Sequence, residues 1–303
     1  MEKRHDSVLM QEVLDALDVQ LTDVVVDGTL GGAGHFGALL AKLGEKGVLV
    51  GIDADSEALG RAEKVVQADV RKKHPAVYIV HDNFRNLTSI LSTRQIAGID
   101  KALFDLGWSG FQIASPRGFS FQGDEPLLMS YGEDGETAAS IVNSSSEKDL
   151  ADIIFVYGEE RFARSIARAI VSARAKGRIL TTGQLVEAVL AGTPRTYHKG
   201  KTHPATKTFQ ALRIAVNDEL GALKQGLAGA LEALRPGGRV AVISFHSIED
   251  RIVKEILRAA VERGAGKLIT KKPIVSSPAE LLANRRARSA KLRVFERSTP
   301  SYA

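Results

Sequence analysis

The chain contains no cysteine. Disulfides, thiolate zinc centres, iron–sulfur clusters and a cysteine nucleophile are therefore excluded, and the composition suits a reducing compartment. The sequence also lacks any run of about 18 apolar residues, as a membrane span requires. Its first stretch, Met1 to Leu17, mixes Glu2, Lys3, Arg4, His5, Asp6, Glu12 and Asp15 among its apolar residues. A soluble, unexported, cytoplasmic protein without a membrane partner is expected. The seven histidines show no H-E-x-x-H or comparable ligand spacing, so no metal is expected. A G-x-S-x-G elbow is missing too, which argues against reading Ser244, His246 and Asp250 as a hydrolytic triad. Ser247 is instead expected to cap a helix, with Glu249 and Asp250 near its positive end and His246 facing a pocket.

What is present is an ordinary globular composition. The 303 residues are 44% hydrophobic and 25% charged, enough for a sizeable core. The net charge is +5, and the excess is clustered. From Lys267 to the end there are nine basic residues (Lys267, Lys271, Lys272, Arg285, Arg286, Arg288, Lys291, Arg293, Arg297) against two acids, Glu280 and Glu296. Charge alone fits a solvated tail as well as a polyanion-binding surface.

Short apolar runs ending in Gly or Asp alternate with helical stretches in the first third of the chain. These are Val24-Val25-Val26-Asp27, Val48 to Asp53, Val77 to Val80 and Ala102 to Asp105. The rhythm is that of βαβ units and a parallel sheet, whose ligands sit at the carboxyl ends of strands. The pattern breaks after about Gly107, and from roughly Thr137 to Arg195 the apolar spacing is helical only. The sheet resumes with Arg239 to Phe245 and ends with an expected edge strand at Leu292 to Phe295. The fold class expected is α/β: one sheet domain, residues 1–112 and 210–303, interrupted by an all-helical insertion at 113–209.

Asp27-Gly28-Thr29-Leu30-Gly31-Gly32-Ala33-Gly34-His35 follows the first strand. Glycines at this density let backbone come within contact distance of a ligand where a Cβ would clash. Gly32 to Gly37 also satisfies G-x-G-x-x-G, which keeps an NAD-linked oxidoreductase as the competing reading. Asp27 points away from that competitor, because an acid before the glycines can hold an ammonium but has no role beside a pyrophosphate. Asp53, closing the second strand, suits ribose hydroxyls in either cofactor. Asp105 closes the fourth strand, where the reacting end of a cofactor over the first two strands would lie. A carboxylate there could accept the N–H of a poorly nucleophilic exocyclic amine and help localise its lone pair, so Asp105 is the expected catalytic residue.

Taken together, these segments and several others resemble the ribosomal RNA small-subunit methyltransferase H family, also called MraW, over nearly the whole chain. The matching stretches include His5 to Leu9, Asp27 to His35, Asn83-Phe84, Asp105-Leu106-Gly107, Arg117 to Phe121, Tyr157 to Arg161, His203 to Thr206, Thr208 to Ile214, Ser244 to Arg251 and Arg286 to Ala290. The resemblance implies a Rossmann-like class I methyltransferase that uses S-adenosylmethionine to methylate N4 of a cytidine in the decoding region of 16S rRNA, within the 30S subunit or a late assembly particle. A catalytically silent RNA-binding assembly factor on the same fold is the third reading. Carried over by position, the cofactor contacts fall on Ala33, Gly34, His35, Asp53, Phe84, Asp105 and Gln112, with Asp27 and Gly32 beside them. The chain departs from the family where Ala33 replaces a glycine, where Phe36 replaces a small serine, and where Leu127-Leu128-Met129-Ser130-Tyr131 stands for Leu-Asp-Met-Arg-Met.

Phosphate contacts supply much of RNA affinity, and a base reacts at its Watson–Crick edge only when unpaired or flipped out. Basic residues are wanted around such a pocket. Arg161, Arg164, Arg168, Arg174, Lys176, Arg178, Arg195, Lys199, Lys201 and Lys207, with the basic tail, could line a groove, and Trp108, Phe111, Phe119 and Phe121 could stack a base. Trp108, Phe119, His203, Lys207, Arg213 and His246 are the expected substrate contacts.

Overall fold

The computed structural model describes residues 7–71, 73–107, 110–111, 115–132 and 135–299. The chain divides into two compact units, Met1–Trp108 with Leu220–Ala303, and Ser109–Glu219.

The first unit opens with α1 (Met10–Leu17), β1 (Val24–Asp27), α2 (Gly34–Lys42), β2 (Val48–Asp53), α3 (Ser56–Gln67), β3 (Ala76–His81), α4 (Leu87–Thr93) and β4 (Ile99–Asp105). Burial is nearly continuous along β1, β2 and β4, as expected for parallel strands covered on both faces. Alternate residues serve opposite faces. Val25, Leu49 and Leu103 pack with α1 to α3, while Val26, Val50 and Phe104 pack with α4 and two later helices.

The second unit carries α5 (Ala138–Ser144), α6 (Glu147–Gly158), α7 (Ala163–Arg174), α8 (Thr182–Ala191) and α9 (Thr206–Asn217). Side-chain caps define several starts: Thr137 accepts from Ser140, Ser146 from Asp149, and Thr181 forms a reciprocal capping box with Gln184. The apolar faces close on one another around Ile141, Leu150, Ile154, Ile166, Ile170, Leu185 and Leu212. Gly158 lets α6 meet α9, since a Cβ there would lie 2.6 Å from the Lys207 carbonyl.

The chain then returns to the first unit with α10 (Glu219–Ala233), β5 (Leu234–Ser244), α11 (Ser247–Glu262), β6 (Gly266–Leu268), α12 (Pro278–Ala283) and β7 (Lys291–Arg297). The expected return at residue 210 falls inside α9, whose buried Leu212 belongs to the helical core. The helix ends instead at Asp218, in the left-handed conformation. The sheet order is β3-β2-β1-β4-β5-β7-β6, with β7 antiparallel to both neighbours and the rest parallel. Thus β7 is an inner strand, not the edge strand expected; the short β6 covers it. Strand β5 starts earlier than expected because Leu234 pairs Ile99 and the register then jumps to Arg239 opposite Lys101, a bulge that absorbs Pro236-Gly237-Gly238.

Candidate active site

Strand β1 lies between β2 and β4, so the sheet reverses direction between β1 and β4 and a crevice opens at their carboxyl ends. Hydrogen bonds bring the glycine loop and Asp105 together there. The amide of Gly28 donates to the Leu103 carbonyl (2.9 Å), and the amide of Asp105 donates to the Thr29 hydroxyl (2.7 Å). Close approach requires glycine at 28, because a Cβ there would sit 2.6 Å from the Phe104 ring. The loop is also tied to β2: Leu30 donates to the Ile52 carbonyl (3.2 Å), and Gly31 donates to Asp53 Oδ2 (2.9 Å). Arg61 of α3 holds the Gly31 carbonyl through Nε at 2.9 Å.

At the loop's end Ala33 takes φ +62° and precedes α2, with Gly34 as the first helical residue. A Cβ on Gly34 would collide with the Ser7 hydroxyl. The segment from Ser7 to Leu9 thereby seats on the start of α2, and Leu9 donates from its amide to Glu280 Oε1 of α12 at 2.7 Å.

The charges of the crevice form one connected set. His35 is buried, and its Nε2 donates to the Val8 carbonyl at 3.1 Å. That bond turns Nδ1 toward Asp105 Oδ2, 3.4 Å away. A carboxylate oxygen and a bare ring nitrogen are both acceptors, so a proton must lie between them. Burial works against the imidazolium, but the hydrogen bond and charge of Asp105 outweigh it and raise the His35 pKa. Asp105 is 26% exposed, and its Oδ1 has no hydrogen-bond partner among the described residues. Asp27 is fully buried. Its Oδ1 accepts from the Thr29 amide at 3.1 Å, while Oδ2 has no partner among the described residues. Burial pushes its pKa up to about 7, against the opposing charge of His35. Burial likewise raises Asp53, although that carboxylate accepts from Gly31 and from Asp55 (2.9 Å).

The residues fit a cationic nucleoside cofactor. The part-exposed Asp105 carboxylate, whose buried Oδ1 lacks a partner among the described residues, sets a negative charge beside a positive group, the loop supplies bare backbone, and Asp53 stands half-buried at the end of β2. Phe84 is half-buried, its ring 5.4 Å from that of Phe104 and packed on Gly226 of α10. Asp27 departs from expectation: sealed from solvent, it can act on a bound cation through its field but does not present an oxygen to it in this conformation.

The expected substrate contacts fare differently. Phe119 is only 5% exposed, in the core of the second unit against Tyr131 (5.6 Å), so its face is already used. Arg213 is buried and grips Glu219 through Nε (2.7 Å) and Nη2 (2.8 Å), with the Tyr131 hydroxyl donating to the same carboxylate at 2.7 Å. Lys207 donates to the Glu159 carbonyl at the end of α6 (2.8 Å), so it serves as a helix cap. His203 is exposed and stacked on Phe121 at 4.7 Å. His246, rather than Ser247, is the N-cap of α11: its Nδ1 accepts from the Glu249 amide at 3.3 Å, and Glu249 returns a bond to the His246 backbone. Trp108 and Gln112 lie outside the described residues. Thr29, Arg61 and the Val8 carbonyl went unforeseen. Thr29 could have been suspected as the one hydroxyl inside the loop; the other two carry no sequence signal, because their partners are set by folding.

A doubly wound sheet with one reversed strand, a glycine loop at its switch point and carboxylates closing β2 and β4 defines a class I S-adenosylmethionine-dependent methyltransferase. The match to the MraW methylase family spans residues 2–298. Relatives named ribosomal RNA small subunit methyltransferase H are 48% identical in Deinococcus deserti, over 97% of this chain and 93% of that one. One from Citrifermentans bemidjiense is 46% identical over 97% and 98%, and one from Brevibacillus brevis 43% over the same shares. The chain belongs to the MraW methylase family. The dinucleotide reading of Gly32 to Gly37 falls away with this family match; a glycine such as Gly37, inside α2 and against Val65 of α3, fits either cofactor.

Proposed function

We propose that the chain methylates N4 of a cytidine in the decoding region of 16S rRNA, with the 30S subunit or a late assembly particle as its substrate. The observation that carries the reading is the part-exposed carboxylate of Asp105, held at the switch point by Thr29 and backed by His35. S-adenosylmethionine, when bound, supplies an electrophilic methyl group. The loop from Gly28 to Gly34 gives its backbone to that cofactor, Asp53 takes the ribose hydroxyls, and Phe84 borders the adenine. Asp105 accepts an N–H of the exocyclic amine, which keeps the nitrogen lone pair directed at the methyl group. The proton shed by the amine passes to the Asp105 carboxylate and leaves through its exposed side. His35, its pKa raised by Asp105 and its ring fixed by the Val8 carbonyl, holds Asp105 in that orientation. The family names of the relatives support rRNA as the substrate.

The test is methyl transfer to 30S subunits and to naked 16S rRNA from a strain lacking the modification, followed by nucleoside mass spectrometry. The expected product is N4-methylcytidine at one position. Asp105→Asn is expected to lower turnover by about 10²–10⁴-fold, the usual weight of a general base, while S-adenosylhomocysteine still raises its melting temperature. Cofactor binding without transfer to any rRNA would favour a silent assembly factor.

A further inference from the structure

A cleft of about 560 Å³ opens in the second unit, lined by Thr137, Ala139, Ser140, Asn143, Ser144, Arg174 and Arg178. Among the described residues its lining carries two guanidinium groups and three hydroxyls and no carboxylate. Asn143 fastens the wall: its amide donates to the carbonyls of Ala139 and Ile179 (both 2.7 Å) and accepts from the Ile179 amide (3.0 Å). That clamp pins the turn after α7, which bears Arg178, to helix α5. Arg174 is oriented by one bond from Nη1 to the Val142 carbonyl (2.8 Å), which leaves the rest of its fork for another acceptor. Ser144 donates to the Ser140 carbonyl (2.8 Å), and Thr137 accepts from the Ser140 amide (3.0 Å), so the Thr137 and Ser140 hydroxyl protons remain to give. Arg178 is exposed. A doubly cationic cleft with hydroxyl donors fits a tetrahedral oxyanion, and arginine forks match phosphate oxygens in pairs.

We propose that this cleft binds a phosphodiester group of the RNA substrate. The inference rests on the reading of the chain as an RNA methyltransferase and adds a positioning contact that the reacting base does not supply. The acid adjoining the cleft in sequence, Glu136, precedes Thr137 and is exposed without lining the cleft. Removing its charge should therefore strengthen the site.

The test uses the full chain, unmethylated 16S rRNA and a series of salt concentrations. Each phosphate contact contributes about 0.7–0.9 to the slope of log K against log salt. Arg178→Ala should lower the slope by that amount and weaken binding about five- to eightfold near 0.1 M salt. Arg178→Lys should restore the slope, and Glu136→Gln should tighten binding. Turnover at saturating RNA and the melting shift given by S-adenosylhomocysteine should not change in these variants. RNA methylation by the wild type, combined with an unchanged slope in Arg178→Ala, overturns the cleft and leaves the function standing. The cleft is also overturned if inorganic phosphate protects it from heat in an Arg178-dependent way but RNA affinity ignores the substitution. Wild-type protein that neither binds nor methylates rRNA overturns both readings.

Discussion

Sealing Asp27 behind the glycine loop couples the proton to both folding and cofactor. Its carboxyl is raised from 3.8 to about 7 by burial, so the folded state prefers the protonated form. The stability this lends is full below pH 4 and is lost as pH rises toward 7, a total of roughly 4 kcal/mol at 1.4 kcal/mol per unit. His35, raised above 6.5, has the same sign and loses its contribution as pH climbs through its folded value. Asp27→Asn should therefore make the cofactor-free protein more stable than wild type at pH 8 in urea melts. A cation in the crevice favours ionised Asp27, so wild-type affinity for S-adenosylmethionine should fall below pH 7 by up to about tenfold per unit, and the variant's should not. Parallel pH profiles for the two proteins would remove Asp27 from this linkage. Ala33 is a second residue-scale case. A left-handed alanine is strained, and Ala33→Gly should gain about 0.5–1 kcal/mol in the same melts with cofactor binding preserved. A loss of stability would mean that the Ala33 methyl, buried in the core, matters more than its backbone.

Helix α10 lies against the cofactor side through one glycine. A Cβ on Gly226 would strike the Phe84 ring, and the Phe84 carbonyl lies 2.9 Å from the same point. Gly226→Ala should cost about 1–3 kcal/mol of stability from overpacking. It should also raise the Kd for S-adenosylmethionine by displacing Phe84; isothermal titration checks this, and an unaltered Kd would place Phe84 outside the cofactor site. Such element-to-element contacts mark the limit of what sequence conveys. The strands β1, β2, β4 and the body of β5 were legible because burial on both faces writes continuous apolar runs, and the acids closing β1, β2 and β4 were legible because turns follow them. Strand β6 was not, since Gly266-Lys267-Leu268 is too short to show a period, and the place of β7 inside the sheet depends on pairing with residues far away in sequence. The partners of charged residues are hidden for a related reason. Arg213 and Lys207, expected to meet RNA, also have partners that folding supplies, Glu219 and a helix-end carbonyl.

Across the whole molecule, both core and charge divide by region. Several basic tail residues are engaged internally: Lys267 with Glu296 (2.9 Å), Lys291 and Arg293 with Asp250 (3.0 and 2.7 Å), and Arg297 with the carbonyls ending α10. Lys271, Lys272, Arg285, Arg286 and Arg288 are exposed between β6 and β7. The apolar clusters divide as well. Two belong wholly to the sheet unit and the third wholly to the helical one. A core closed on itself is what independent cooperative unfolding requires. Differential scanning calorimetry should therefore resolve two transitions, and S-adenosylhomocysteine should move only the one that belongs to the sheet unit, because Asp53, Phe84 and Asp105 all lie there. The helical unit, expressed as residues 109–219, should melt at the temperature of the unshifted transition. A single transition that moves as a whole with cofactor would mean that the two cores unfold as one, and the helical unit alone would then be expected to lack a cooperative melt.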